Sequence, residues 1–177
     1  MPSAPRWHWP VWCRYLPSDE RLLERADHVF EMVADVDGPP DEVLETLWNG
    51  SLKSGIPGFL GMIWSTPPDV LPDARLDECF VFMTLRLHTV ATGPGSRVVV
   101  SGMGCTWPMA EQLVELCEAI PRDGRTHFVW RIGVLYPWWL APAAPLIQPA
   151  FQWLFDTSLA ALVDAYHQSH GRRAGAA

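Results

Sequence analysis

The feature that most constrains this chain is the turn Pro121-Arg122-Asp123-Gly124, together with the alternating run after it. Asp-Gly closes a two-residue hairpin turn, because both central residues must accept positive φ. After it, Phe128, Trp130, Ile132 and Val134 alternate with His127, Val129 and Arg131, so the run from Thr126 to Leu135 is a strand with one apolar face. A strand leaving such a turn needs a neighbour on the other side of it. Residues 111–120 fill that place, although Met109, Leu113, Leu116, Cys117 and Ile120 fall at helical spacing. Local residues slightly favour a helix there, and the need of the next strand for a partner overrides them.

The same period of two recurs upstream. From His28 to Val36, Phe30, Met32, Ala34 and Val36 share one face. Gly38, Pro39 and Pro40 end this strand, and Asp41, Glu42, Val43, Leu44, Leu47 and Trp48 read as a short helix with acids in its first turn. Phe59 to Ser65 is a strand and Thr66 to Arg75 a loop. Glu78 to Thr92 reads as one strand, with Met83, Leu85 and Leu87 on one face and Thr84, Arg86 and His88 on the other. The turn Gly93-Pro94-Gly95-Ser96 reverses it into Arg97 to Thr106. Beyond Pro137 the pattern becomes helical: Leu146, Ile147, Ala150, Phe151, Leu154, Phe155, Ser158, Leu162 and Tyr166 make an apolar stripe, with Asp156, Ala160, Asp164 and His167 opposite. Residues 1–27 form an arm rich in tryptophan and proline, including Trp7, Trp9 and Trp12. Residues 169–177 form a flexible tail, leaving 28–168 as the folded domain.

Composition narrows the function. A chain of 177 residues supports one core. Its formal charge of -7, without a basic cluster, argues against nucleic acid. Cys13, Cys79, Cys105 and Cys117 have no C-x-x-C spacing and no secretory segment opens the chain, so the expectation is reduced thiols in a cytoplasmic protein. The six histidines offer no metal-ligand spacing, and no metal or other cofactor is expected. Residues 136–155 carry no charge, but Pro137, Pro142, Pro145 and Pro149 interrupt them, which argues against a transmembrane span. Trp138 and Trp139 stand side by side in that stretch and suggest either a movable gate, covered by the arm or in transient contact with a membrane or an apolar partner, or a plug at the end of the sheet.

Strand, short helix, antiparallel hairpins and one long final helix is the order of an α+β helix-grip fold: a curved antiparallel sheet wrapped around a C-terminal helix. The chain resembles the SRPBCC or START-like superfamily, particularly the bacterial polyketide cyclase/dehydrase-like proteins. The resemblance rests on Val-Asp-Gly-Pro-Pro-Asp-Glu-Val at 36–43, Asp-Gly-Arg-Thr-His-Phe-Val-Trp-Arg-Ile at 123–132, and the helix from about 143 to 168. It implies an internal apolar cavity that holds lipids, sterols, polyketides or hormones. Plant members carry a glycine-rich loop; Gly93-Pro94-Gly95 and Gly102-Met103-Gly104 lack its length, so no nucleotide role is implied.

Strand parity and the helical stripe point ten residues inward as ligand-binding candidates: Phe30, Met32, Met83, Leu85, Leu87, Phe128, Trp130, Phe151, Phe155 and Leu162. The expected pocket is dry and aromatic, and Trp130 reads as a core residue before it reads as a ligand platform. Arg86, His88, His127 and Arg131 fall on the solvent side. His28, Glu118, Tyr136 and Tyr166 are the titratable groups left for the interior, each an edge group before a catalyst. There is no Ser/His/Asp order and no G-x-S-x-G elbow, so catalytic residues stay unassigned. Three functions remain: binding or transfer of a hydrophobic small molecule, a cyclase, dehydratase or isomerase acting on a polyketide-like or terpenoid substrate, and an interaction module with a vestigial cavity. The poverty of titratable groups inside favours binding.

Overall fold

The computed structural model describes residues 12–48, 53–66, 73–93 and 96–174. Along them run β1 (Cys13–Arg14), α1 (Leu22–Arg25), β2 (His28–Val36), α2 (Pro40–Trp48), β3 (Phe59–Thr66), β4 (Arg75–Phe80), β5 (Thr84–Gly93), β6 (Arg97–Cys105), β7 (Gln112–Arg122), β8 (Arg125–Leu135) and α3 (Ala144–Ala174). Asp123 and Gly124 take φ of 51° and 80°, and Arg122 pairs with Arg125, so the strands run on through Pro121 and Arg122 and the turn is the two residues Asp123-Gly124 alone. That turn locks β7 to β8, and residues 111–120 are strand despite their helical spacing.

All pairings are antiparallel, in the order β2-β8-β7-β6-β5-β4-β3, with β1 laid against the far end of β6. The sheet curves without closing around α3, and this is the helix-grip α+β architecture. Its inner face, α2 and α3 bury one core containing Phe30, Met32, Val43, Leu47, Leu87, Phe128, Ile132, Leu162 and Tyr166. A smaller cluster on the outer face packs Leu22 of α1 against Val99, Val114 and Leu116. This explains why β7 is apolar on both faces: its outer side is covered too.

Three readings of the sequence need correction. Glu78 to Thr92 is not one strand but the β4–β5 hairpin, closed where the Phe80 N–H donates to the Met83 carbonyl at 2.7 Å. Its turn holds exposed Val81 and Phe82 and lacks the glycine or proline that would have marked it. The loop expected to reach Arg75 ends where β4 begins. In α3, Leu146 and Ala150 of the expected apolar stripe face solvent, and the helix meets the core at Ala144 and again from Phe151. Asp156, Ala160, Asp164 and His167 are exposed as expected.

The helix also continues to Ala174, so the tail expected over 169–177 is helical in its first six residues, and 175–177 lie outside the described residues. Trp7 and Trp9 of the arm lie outside them as well, as does the Pro94-Gly95 turn, though Gly93 and Arg97 pair across it. The described part of the arm is held by more than aromatics. The Ser18 N–H donates to Ser101 Oγ at 3.0 Å, Gln112 Nε2 donates to the Pro17 carbonyl at 2.8 Å, and the Trp12 ring lies 4.2 Å from the Arg86 guanidinium carbon.

Gly38 lets α2 and α3 meet. A Cβ at this position would stand 2.1 Å from the Tyr166 hydroxyl, closer than any such contact allows. Tyr166 in turn stacks on His170 at 4.0 Å between ring centroids, and His170 Nε2 bonds Glu42 Oε1 at 2.7 Å. The last turns of α3 are thereby fixed to the first turn of α2.

Candidate functional site: a cavity with a charged corner

Between the inner face of the sheet and α3 lies a cavity of about 80 Å³, set in about 710 Å³ of space between atom surfaces that includes its open mouth. Strand parity supplies one wall through Leu85, Leu113, Trp130 and Ile132; α3 supplies the other through Phe151, Leu154, Phe155 and Ser158. Phe155 is the hub of the aromatic wall, with ring centroids 5.1 Å from Phe30, 5.9 Å from Trp130 and 6.0 Å from Phe151. These are offset and edge contacts, which leave the ring edges and faces at the gap unfilled.

Two smaller spaces adjoin it. One shares Phe151 and Phe155 and is completed by Phe30, Tyr15 and Tyr136. The other shares Trp130 and is completed by Trp48, Phe128 and Leu162. Of the ten residues pointed inward by parity, Met83, Leu85, Trp130, Phe151 and Phe155 line the main cavity. Phe30, Phe128 and Leu162 line the adjoining spaces. Met32 and Leu87 are packed in the core away from these walls.

The expected solvent-side groups are paired on the outer surface. Arg131 Nε bonds Glu31 at 2.6 Å, His127 Nδ1 meets Asp35 at 2.8 Å, Arg86 Nε bonds Asp77 at 2.8 Å, and His88 Nε2 lies 3.5 Å from Asp73. Of the four interior titratable candidates, Glu118 is misplaced. It sits on the outer face between Arg97 (3.1 Å) and Arg131 (3.6 Å). His28 packs edge-on against Phe30, ring centroids 4.4 Å apart. Tyr136 lines the adjoining space with a buried hydroxyl that has no partner among the described residues. Tyr166 belongs to the α2–α3 contact.

What the sequence reading missed is the charge inside. Lys53, Glu78 and Glu115 all line the main cavity and are each more than nine-tenths buried, so the pocket is apolar but not dry of charge. Lys53, in the one-turn helix Lys53–Gly55, bonds Glu78 directly, and its ammonium stands 5.2 Å from the centroid of the Trp48 ring. Burial opposes the Lys53 charge, yet the Glu78 carboxylate outweighs it and holds the ammonium above its ordinary pKa. Glu115 has no such dedicated partner. Its neighbours across the ladder are Ile132 and Val100, and burial pushes its carboxyl up to about 7, with the Glu78 charge adding to the rise and Lys53 opposing it. Burial and Glu115 also push the neighbouring Cys117 thiol up. The indole N–H groups of Trp48 and Trp130 are buried without a hydrogen-bond partner among the described residues.

The cavity therefore has an apolar body and one corner of unsatisfied polar capacity. Among the described residues, no group of three or more His, Cys, Asp and Glu is arranged for a metal ion, and no helix is long and apolar enough to cross a membrane.

No family model matches the chain, and no curated protein matches it in sequence. Solved structures do match in shape. A protein of Thermus thermophilus superposes with a TM-score of 0.67 at 12% identity, over 80% of this chain and 99% of the other. The ZhuI aromatase/cyclase of a Streptomyces species gives 0.66 at 13% identity, over 80% and 95%. Ginseng major latex-like protein 151 from Panax ginseng gives 0.61 at 10% identity, over 81% and 97%. The aromatase/cyclase and the latex-like protein are SRPBCC-superfamily proteins, and the chain has their helix-grip fold.

Proposed function

We propose that this helix-grip chain binds a hydrophobic small molecule between the inner face of its sheet and α3. The observation that carries the reading is the unfilled aromatic cavity walled by Trp130, Phe151 and Phe155 inside the buried core. Closing a ligand there removes its surface from water; about 250 Å² of apolar area at ~25 cal/mol per Å² is worth about 6 kcal/mol before the cost of association. The fold supports the same reading, since an aromatase/cyclase and a latex-like protein share it.

Native mass spectrometry of protein purified from its own host tests the proposal. One lipophile per chain is the expected result. Failure of the protein, in any preparation, to retain a lipophile or to take up a neutral fluorescent one such as N-phenyl-1-naphthylamine would overturn it and favour a vestigial cavity.

A second reading has its own observation. Glu115, titrating near neutrality inside the cavity and close to Lys53, is suited to move a proton, which a cyclase, dehydratase or isomerase acting on a polyketide-like or terpenoid substrate would need. Exchange of the α-protons of a bound ketone in D2O, fast with the wild type and lost in E115Q while affinity is kept, would establish that chemistry. Exchange at the uncatalysed rate leaves binding as the function.

A further inference from the structure

Resting on the cavity as a binding site for a lipophile, we infer that the corner formed by Glu115, Trp130, Lys53 and Glu78 selects a ligand carrying a neutral oxygen, a ketone or hydroxyl, and rejects one that ends in a carboxylate or an ammonium. Donors, acceptors and charges must balance there, because a buried corner has little water to correct a mismatch.

Lys53 is already engaged with Glu78, so the corner's one cation is neutralised by the first of its two acids. A ligand carboxylate would add a second negative charge beside Glu78 with no cation left to receive it, and buried like charges are costly. A ligand ammonium is poorly suited for a different reason. While Glu115 holds its proton, the corner's one carboxylate is already paired with Lys53, and an ammonium offers the Trp130 N–H, a donor only, no acceptor.

A neutral oxygen fits both needs. It accepts from the Trp130 indole N–H and from the protonated Glu115 carboxyl, and a hydroxyl can also donate to the ionised carboxylate. The rest of the ligand lies along Leu113, Ile132 and Phe155. Sites that hydrogen-bond a specific ligand group discriminate strongly, because the alternative leaves buried polar groups unpaired.

The test is displacement of N-phenyl-1-naphthylamine from the full chain at pH 6, where Glu115 keeps its proton, by decan-2-one, decanoate and decylamine. Decan-2-one should displace the probe at concentrations about tenfold or more below the two charged analogues. Because any apolar pocket favours the ketone to some degree, the corner itself is tested by variants. W130F should weaken decan-2-one about fivefold more than it weakens N-phenyl-1-naphthylamine. E115L should do the same, and E115Q, which keeps a donor, should retain ketone binding. Should E115L fail to fold, W130F and E115Q carry the comparison. Decanoate or decylamine matching the ketone, or W130F leaving the ketone unaffected, overturns the inference while the cavity reading stands. No uptake of N-phenyl-1-naphthylamine by the wild type overturns both.

Discussion

Replacing Glu115 by glutamine should make the protein more stable at pH 8 and leave it nearly unchanged at pH 4.5. In the folded chain the Glu115 carboxyl titrates at about 7, against an ordinary 4.5, with burial as the main cause. The fold thus prefers the protonated acid. Below pH 4.5 folded and unfolded chains both hold the proton and the preference costs nothing. Between pH 4.5 and 7 the unfolded chain has released it and the folded chain has not, so stability falls as pH rises, and above 7 the loss is complete. A gap of about 2.5 pH units at 1.36 kcal/mol each is about 3 kcal/mol. Glutamine has nearly the same shape and no proton to lose. Urea unfolding of wild type and E115Q at pH 4.5, 6, 7 and 8 measures the effect. The difference between the two proteins should grow by about 3 kcal/mol across that range in favour of E115Q. Lys53, held above its ordinary pKa, keeps its charge throughout and does not distort the comparison. A difference constant to within about 0.5 kcal/mol would refute the claim that a buried, poorly compensated carboxyl faces the cavity.

Lys53→Met should cost about 3–5 kcal/mol by leaving the Glu78 carboxylate buried without its cation, and K53M/E78L should recover most of the loss in the same urea assay. Gly38→Ala should lower stability by about 1–3 kcal/mol through collision with the Tyr166 hydroxyl, and Y166F should relieve part of this; a mutant cycle with no coupling would contradict the contact. Trp138 and Trp139 are 83% and 50% exposed, so W138S/W139S should change thermal stability little, by about 0.5 kcal/mol or less, while altering the rate of N-phenyl-1-naphthylamine uptake. A large stability loss with unaltered uptake would make them a structural plug and place ligand passage elsewhere.

The fold was legible because its punctuation is strong where it matters. Asp123-Gly124 fixes β8 against β7 and overrules the helical spacing of the preceding segment, and the long stripe from Phe151 onward defines α3. The charged corner was harder to read, for two physical reasons. In β7 both faces are apolar because α1 covers the outer one, so parity alone does not say which of Glu115 and Glu118 points inward. The signal was nonetheless present: counting back from the two-residue turn sets Glu115 opposite Ile132 and Glu118 opposite Val129, and cross-strand partners share a face. In the second case the signal was absent. Without glycine or proline at Val81-Phe82, Glu78 reads as a continuation of β5 on the face away from Leu85, whereas the hairpin pairs Glu78 with Leu85 on the same inner face. Lys53 sits in a one-turn helix within a glycine- and proline-punctuated segment, where no periodicity assigns a direction.

Binding of a lipophile in the space between sheet and α3 is tested most directly by intermolecular NOEs from bound decan-2-one to methyl-labelled protein. Contacts to Leu85, Leu113, Ile132 and Leu154, which line the cavity from both walls, are the expected result. Contacts confined to the exposed Leu60, Ile63, Val81 and Leu146 would show surface adsorption and contradict it.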